Sequence, residues 1–284
     1  MTERPEVDSA SSVHGFSVPP VFALGVVLAG CGGGLPLLHP ARTLGIGDVR
    51  ALAGFSSNIA VGNLSSAVRN AANEAAASHA PPSPGNASYA EGALVAASIG
   101  PGLAPVAGAR VGIGAQAEGG LVYSGRSVRA DVRRSFELSS TWALSVGAAG
   151  SAALYGRAQT DALPDVDLGR LHGWGADVPV VVGYESDGDL YMFWTGLRGG
   201  WEHVDIDDVT SEPGSGQLGP TPISLAATRF WGGGLIGAAV GFRHVHVAME
   251  LDVSYASITG DYNGAHAQVA GVSLAPASAL WWRF

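Results

Sequence analysis

The stretch HVHVAMELDVSYAS, His244 to Ser257, alternates. Val245, Val247, Met249, Leu251, Val253 and Tyr255 fall on one side of an extended chain, and His244, His246, Ala248, Glu250, Asp252 and Ser254 on the other. Successive side chains of a strand point to opposite faces, so a period of two specifies a sheet with two unlike faces. SVRADVRRSFE, Ser127 to Glu137, repeats the pattern, with Val128, Ala130 and Val132 opposite Arg129, Asp131 and Arg133. No run approaches the ~18 consecutive apolar residues of a transmembrane helix. Such a chain folds as many short alternating strands. They form either a sheet with one solvated face or a barrel with one face in lipid.

Composition separates these two. Apolar residues are 47% of the 284, charged residues only 14%, and glycines number 42. A soluble domain carries roughly 25% charged residues. A soluble sandwich rich in Ala and Gly therefore lacks the polar surface it needs, whereas a transmembrane barrel needs little. The net charge of −9, with arginine as the only Lys/Arg-type cation, argues against a nucleic-acid partner.

The alternation predicts strands at 49–61, 106–116, 119–124, 127–137, 142–154, 178–185, 190–204, 225–241, 245–258 and 268–284. Connections at 117–118, 138–141, 186–189 and 242–244 are tight, and those at 62–105, 155–177, 205–224 and 259–267 are long. Short turns at one end and long loops at the other is the rhythm of an up-and-down antiparallel transmembrane barrel. With both chain ends on the same side the strand number is even: about ten, or eight if 49–61 stands outside the wall and 119–137 is one bulged strand. The insert at about 62–105 is helical or irregular. LSSAVRNAANEAAAS, Leu64 to Ser78, suits a helix, and PPSPG stops it. The insert forms a surface cap or a partial plug of the lumen.

Both ends of the chain carry a resemblance. SLAPASALWWRF, at the C-terminus, puts Val272, Leu274, Leu280, Trp282 and Phe284 on one parity. It resembles the last strand of bacterial outer-membrane barrels, which ends in an aromatic residue. The resemblance implies recognition by the barrel-assembly machinery, with Trp282 and Phe284 in the interfacial aromatic girdle. Pro276, lacking an N–H, implies a local bulge. Near the N-terminus, FSVPPVFALGVVLAGC (16–31) ends in the chain's one cysteine. LAGC resembles the bacterial lipoprotein signal, although the preceding residues are acidic rather than basic. That resemblance implies a signal peptide over 1–30, lipidation of Cys31, a lipidated tether over 31–48 that is flexible through Gly32–Pro40, and a barrel over 49–284. Outer-membrane lipid is the implied partner, with oligomeric state left open.

Candidate chemistry is sparse. No phosphate-loop, HExxH or paired-cysteine zinc pattern occurs, and no cofactor is expected. Gly232–Gly234 lie within a strand pattern and read as curvature or close packing. His244 and His246 share a face but are two imidazoles where zinc takes three or four ligands, so no metal site is expected. Arg129, Asp131, Arg133, His244, His246, Glu250 and Asp252 are expected to form a lumen-facing polar network, pairing their charges in a narrow barrel. Arg198 and Glu202 join it if their face points inward, and Tyr191, Trp194 and Trp201 read as girdle residues. Some small outer-membrane barrels modify lipids with a His and a Ser or an acid, for which His203 with Asp205, or His246 with Ser254, are the nominees, without an assigned catalytic residue. The expected role is structural, small-solute passage or surface binding. The alternatives are a barrel-embedded lipid- or lipopolysaccharide-modifying enzyme, and a soluble periplasmic lipocalin-like lipoprotein with an apolar calyx. The last requires the apolar parity to face inward.

Overall fold

In the computed structural model, which describes residues 34–78, 86–154, 163, 168–210 and 222–284, ten antiparallel strands close into a barrel. They are β1 (Val49–Val61), β2 (Gly102–Gly114), β3 (Ala117–Tyr123), β4 (Ser127–Glu137), β5 (Trp142–Ala153), β6 (His172–Glu185), β7 (Tyr191–Thr210), β8 (Pro222–Phe242), β9 (Val245–Tyr262) and β10 (Ala265–Arg283). Each strand pairs with its sequence neighbour, and β1 pairs with β10 to shut the wall. The first strand belongs to the wall, and β3 and β4 are separate strands, so ten replaces the eight-strand alternative.

The apolar parity points outward. Val245, Val247, Met249, Leu251, Val253 and Tyr255 are exposed, while His246, Glu250 and Asp252 are buried. The calyx alternative required the reverse.

The wall is uneven. β7 to β10 run 20, 21, 18 and 19 residues, whereas β3 has 7 and β4 has 11. The tall side continues past the low side and backs the helical insert. The insert contains α1 (Asn63–Ser78) and a second helix, α2 (Ala87–Ile99). α2 starts on Asn86, whose Oδ1 accepts the Ser88 and Tyr89 amides, and ends at Gly100 in the left-handed region, φ 56°. From Gly92 to Ile99 it is apolar but for Ser98 and buried throughout, as expected of a helix enclosed over its C-terminal half. Leu94, Val95 and Ile99 sit in a core with Leu64 of α1 and the inward Val204, Ile206, Leu225, Ile258 and Val269 of the tall wall. The insert is a plug.

The opposite end is filled differently. Residues 34–44 are expected as part of a tether; instead they lie inside the barrel. Leu37, Leu38 and Ala41 are buried against Leu52, Val106, Val181, Trp194 and Trp281. The reason is local: the lumen offers carboxylates and guanidiniums to this segment's backbone.

Three local expectations change. The β2–β3 turn is Ala115–Gln116, both at positive φ, rather than 117–118. The expected long connection at 259–267 is a two-residue turn, Asn263–Gly264, at φ 48° and 78°. Asn-Gly favours this turn because both central residues need positive φ. Pro276 makes no bulge: it stands opposite Leu251 in unbroken register. On its other side the β1–β10 ladder is interrupted between Ser56↔Ala277 and Ile59↔Leu274, and Gly34 packs against Ala275 there.

Candidate functional site

Inward residues of β2, β3, β4, β6 and β7 form one chain of alternating charge. Arg133 bonds Glu118 at 2.9 Å, and Glu118 also pairs with Arg110. Arg110 and Arg129 both pair with Asp131. Arg129 and Arg198 each grip Asp177 with two hydrogen bonds of 2.9 Å. All these groups are at most 5% exposed in their side chains. Buried charges are tolerable only when paired and hydrogen-bonded on every side, and here each acid lies between two guanidiniums.

The network also holds a peptide. Glu250 accepts the amides of Leu37 (2.7 Å) and Leu38 (2.9 Å), and Trp194 Nε1 donates to it at 2.8 Å. Arg133 donates to the carbonyls of Pro40 (2.6 Å), Ala41 (3.2 Å) and Arg42 (3.2 Å). Arg198 donates to Leu35 O, and Glu118 Oε2 accepts the Leu44 amide at 2.8 Å. A non-repetitive segment cannot satisfy its own backbone groups; here the lumen charges satisfy them.

Above this segment is the end of α2. Its last carbonyls have no partner within the helix and carry the negative end of its dipole. Arg126 donates to Ala97 O at 2.7 Å, Arg229 to Ser98 O at 3.2 Å and Asn58 to Ile99 O at 2.7 Å. Between the two plugs lies a cavity of about 70 Å³, lined by Gly34, Ser98, Arg126, Glu202, Arg229 and Trp231 among others.

Arg129, Asp131, Arg133, His246, Glu250 and Asp252 thus line the lumen. So do Arg198, and Glu202, which pairs with Arg229 at 2.9 Å. His244 does not: it is exposed in the β8–β9 turn with Nδ1 2.9 Å from Arg283 O. It therefore does not face His246, whose Nε2 is 2.7 Å from Asp189 O. Among the described residues no three His, Cys, Asp or Glu are grouped to hold a metal. Trp194 points inward, stacked on Trp281 at 5.8 Å, rather than joining the girdle. Trp282 and Phe284 are exposed at the rim with the tight turns. Cys31 lies outside the described residues. Sequence reading does not single out Arg110, and it places Glu118 in an expected turn (117–118) and Asp177 in an expected connection (155–177), whereas both lie in strands.

Of the two nominated pairs, His246 and Ser254 lie eight residues apart on one strand, roughly 26 Å along it, and do not meet. His203 and Asp205 face outward, with His203 Nε2 3.7 Å from Asp205 Oδ2. His172 Nε2 is 2.6 Å from Asp205 Oδ1, and Thr228 Oγ1 is 3.1 Å from His203 Nδ1.

A closed antiparallel barrel, apolar outside and charged within, has the architecture of the transmembrane β-barrels. No protein-family model matches the chain, and neither does any curated protein sequence. Solved structures similar in fold are outer-membrane proteins. Neisserial surface protein A shares 10% identity, with 84% of this chain and 96% of that one covered, at a TM-score of 0.33. The outer membrane protease OmpT from Escherichia coli shares 10%, covering 86% and 100%, at 0.34. A major outer membrane protein of Thermus thermophilus shares 11%, covering 83% and 99%, at 0.29.

Proposed function

We propose that this protein is a bacterial outer-membrane barrel that is sealed, serving a structural or surface-binding role with its long-loop end outward and its C-terminus in the periplasm. The carrying observation is the clamp of Glu250 on Leu37 and Leu38. A segment bonded to the wall through its backbone blocks one mouth, and α2 blocks the other. Solute passage requires both to leave. The test is planar-bilayer conductance: the full chain and a chain lacking 34–44 give none, and a chain lacking both 34–44 and the helical insert gives steps. Open-channel steps from the full chain overturn the sealed reading.

Lipidation of Cys31 and assembly through the C-terminal strand are part of the proposal. LAGC supports the first and the outward Trp282 and Phe284 support the second. Three residues span about 11 Å, and Gly34 O accepts from Ser56 Oγ inside the lumen. A Cys31 lipid inserted in the bilayer and Gly34 bonded there are therefore competing states. Incorporation of a palmitate analogue, lost in Cys31→Ala, establishes the anchor; absence of label removes it.

A further inference from the structure

We propose that Thr228, His203 and Asp205 form a hydrolytic site on the outer face of the barrel, acting on ester-linked acyl chains of the lipid around it.

The cluster lies at the edge of the apolar band. Outward residues of β7 run Tyr191, Phe193, Thr195, Leu197, Gly199 and Trp201. Ten residues at about 3.3 Å each, tilted by about 40°, rise roughly 25 Å, the height of a barrel's apolar band. His203 and Asp205 are the first outward residues past it. The adjacent strands repeat the step: Trp174 then His172 on β6, and Phe230 then Thr228 on β8. Trp174 packs edge-on to Trp201 at 4.4 Å, and Trp201 lies 6.5 Å from Phe230, so the aromatic girdle is continuous directly beneath the cluster. The ester groups of a lipid sit at this boundary, between hydrocarbon and headgroup.

Strand register sets His203 opposite both Trp174 and Thr228, and Asp205 opposite His172. Thr228 Oγ1 is 3.1 Å from His203 Nδ1, within reach for proton transfer. On the far side of the ring, Nε2 is 3.7 Å from Asp205 Oδ2, with Asp205 Oδ1 2.6 Å from His172 Nε2. A hydroxyl, an imidazole and an orienting carboxylate in this order are the parts of an activated nucleophile, and such contacts are often looser without substrate. His203 is 32% exposed and Asp205 30%, so a substrate can reach them.

In the reaction, Thr228 Oγ1 attacks the ester carbonyl carbon and its proton passes to His203 Nδ1. Collapse breaks the bond to the lipid alcohol, which takes that proton. Water, deprotonated by His203, then attacks the acyl-threonine, and the proton returns to Thr228. The products are a fatty acid and the deacylated lipid. Thr228 and His203 are catalytic; Asp205 is a positioning residue.

The inference rests on the outer-membrane reading, and the test keeps the two apart. The purified full chain is reconstituted into phosphatidylethanolamine–phosphatidylglycerol vesicles, and heat-modifiable gel mobility reports folding. Failure to insert and fold counts against the membrane reading. With the barrel folded, fatty acid is expected to be released, and a fluorophosphonate probe is expected to label Thr228. Thr228→Val and His203→Gln lower release at least 100-fold, while Thr228→Ser retains it. Asp205→Asn lowers kcat with KM unchanged, and Asp205→Glu restores part of it. A folded barrel with no release and no label overturns the proposal, as does release that survives in Thr228→Val.

Discussion

Trp194 on β7 donates its indole N–H to Glu250 on β9 at 2.8 Å, across two strand positions of the lumen. The same carboxylate holds the Leu37 and Leu38 amides. One acid thus ties two of the barrel's four tall strands to the N-terminal segment.

Glu250→Ala is expected to destabilise the barrel by about 3–5 kcal/mol, because three buried donors lose their acceptor. Glu250→Gln, which keeps one acceptor oxygen, costs about 1–3 kcal/mol. Urea midpoints of the gel-mobility transition measure both.

Arg129 stands between Asp131 and Asp177. Arg129→Met is expected to cost about 3–5 kcal/mol, since two buried acids each lose one of their two guanidinium partners. Arg134, on the same strand but facing outward, provides the control. Arg134→Met is expected within about 0.5 kcal/mol of the parent.

Outward and inward residues of β9 are expected to separate cleanly. Leu251→Arg costs about 2–4 kcal/mol at mid-bilayer. Fluorophores on cysteines introduced at Met249 and Leu251, in a Cys31→Ala background, are quenched by brominated lipid, and one at Asp252 is not. Quenching at Asp252 instead of Leu251 reverses the assigned faces.

A methyl group added at Gly237 would stand 2.2 Å from the Trp194 ring, whereas at Gly232 the nearest atom is Arg198 O at 4.0 Å. Gly237→Ala is therefore expected to cost about 1–3 kcal/mol by forcing Trp194 out of place, and Gly232→Ala to be neutral. Thermal gel-shift midpoints decide it.

Much of the wall was legible. Val245 to Tyr255 alternate because lipid and lumen are opposite solvents, so β4 and β9 begin where the alternation begins. Asn263–Gly264 is a local two-residue turn signal within the stretch that reads as a long connection. Trp194 reads as a girdle residue because Tyr191, Phe193 and Trp194 make both faces of β7 apolar at that end, and alternation has no phase there. The outer cluster was half visible: His203 and Asp205 are neighbours in sequence, but Thr228 and His172 lie on other strands.

By itself the sequence determined the alternating strands and the two unlike faces of the sheet they build, because a period of two is a local property that hydrophobic sorting reads directly. Only the tertiary structure decided that residues 34–44 fill the lumen and that Thr228 meets His203. Both depend on register and closure, which bring together groups from distant parts of the chain, and no local pattern encodes those distances.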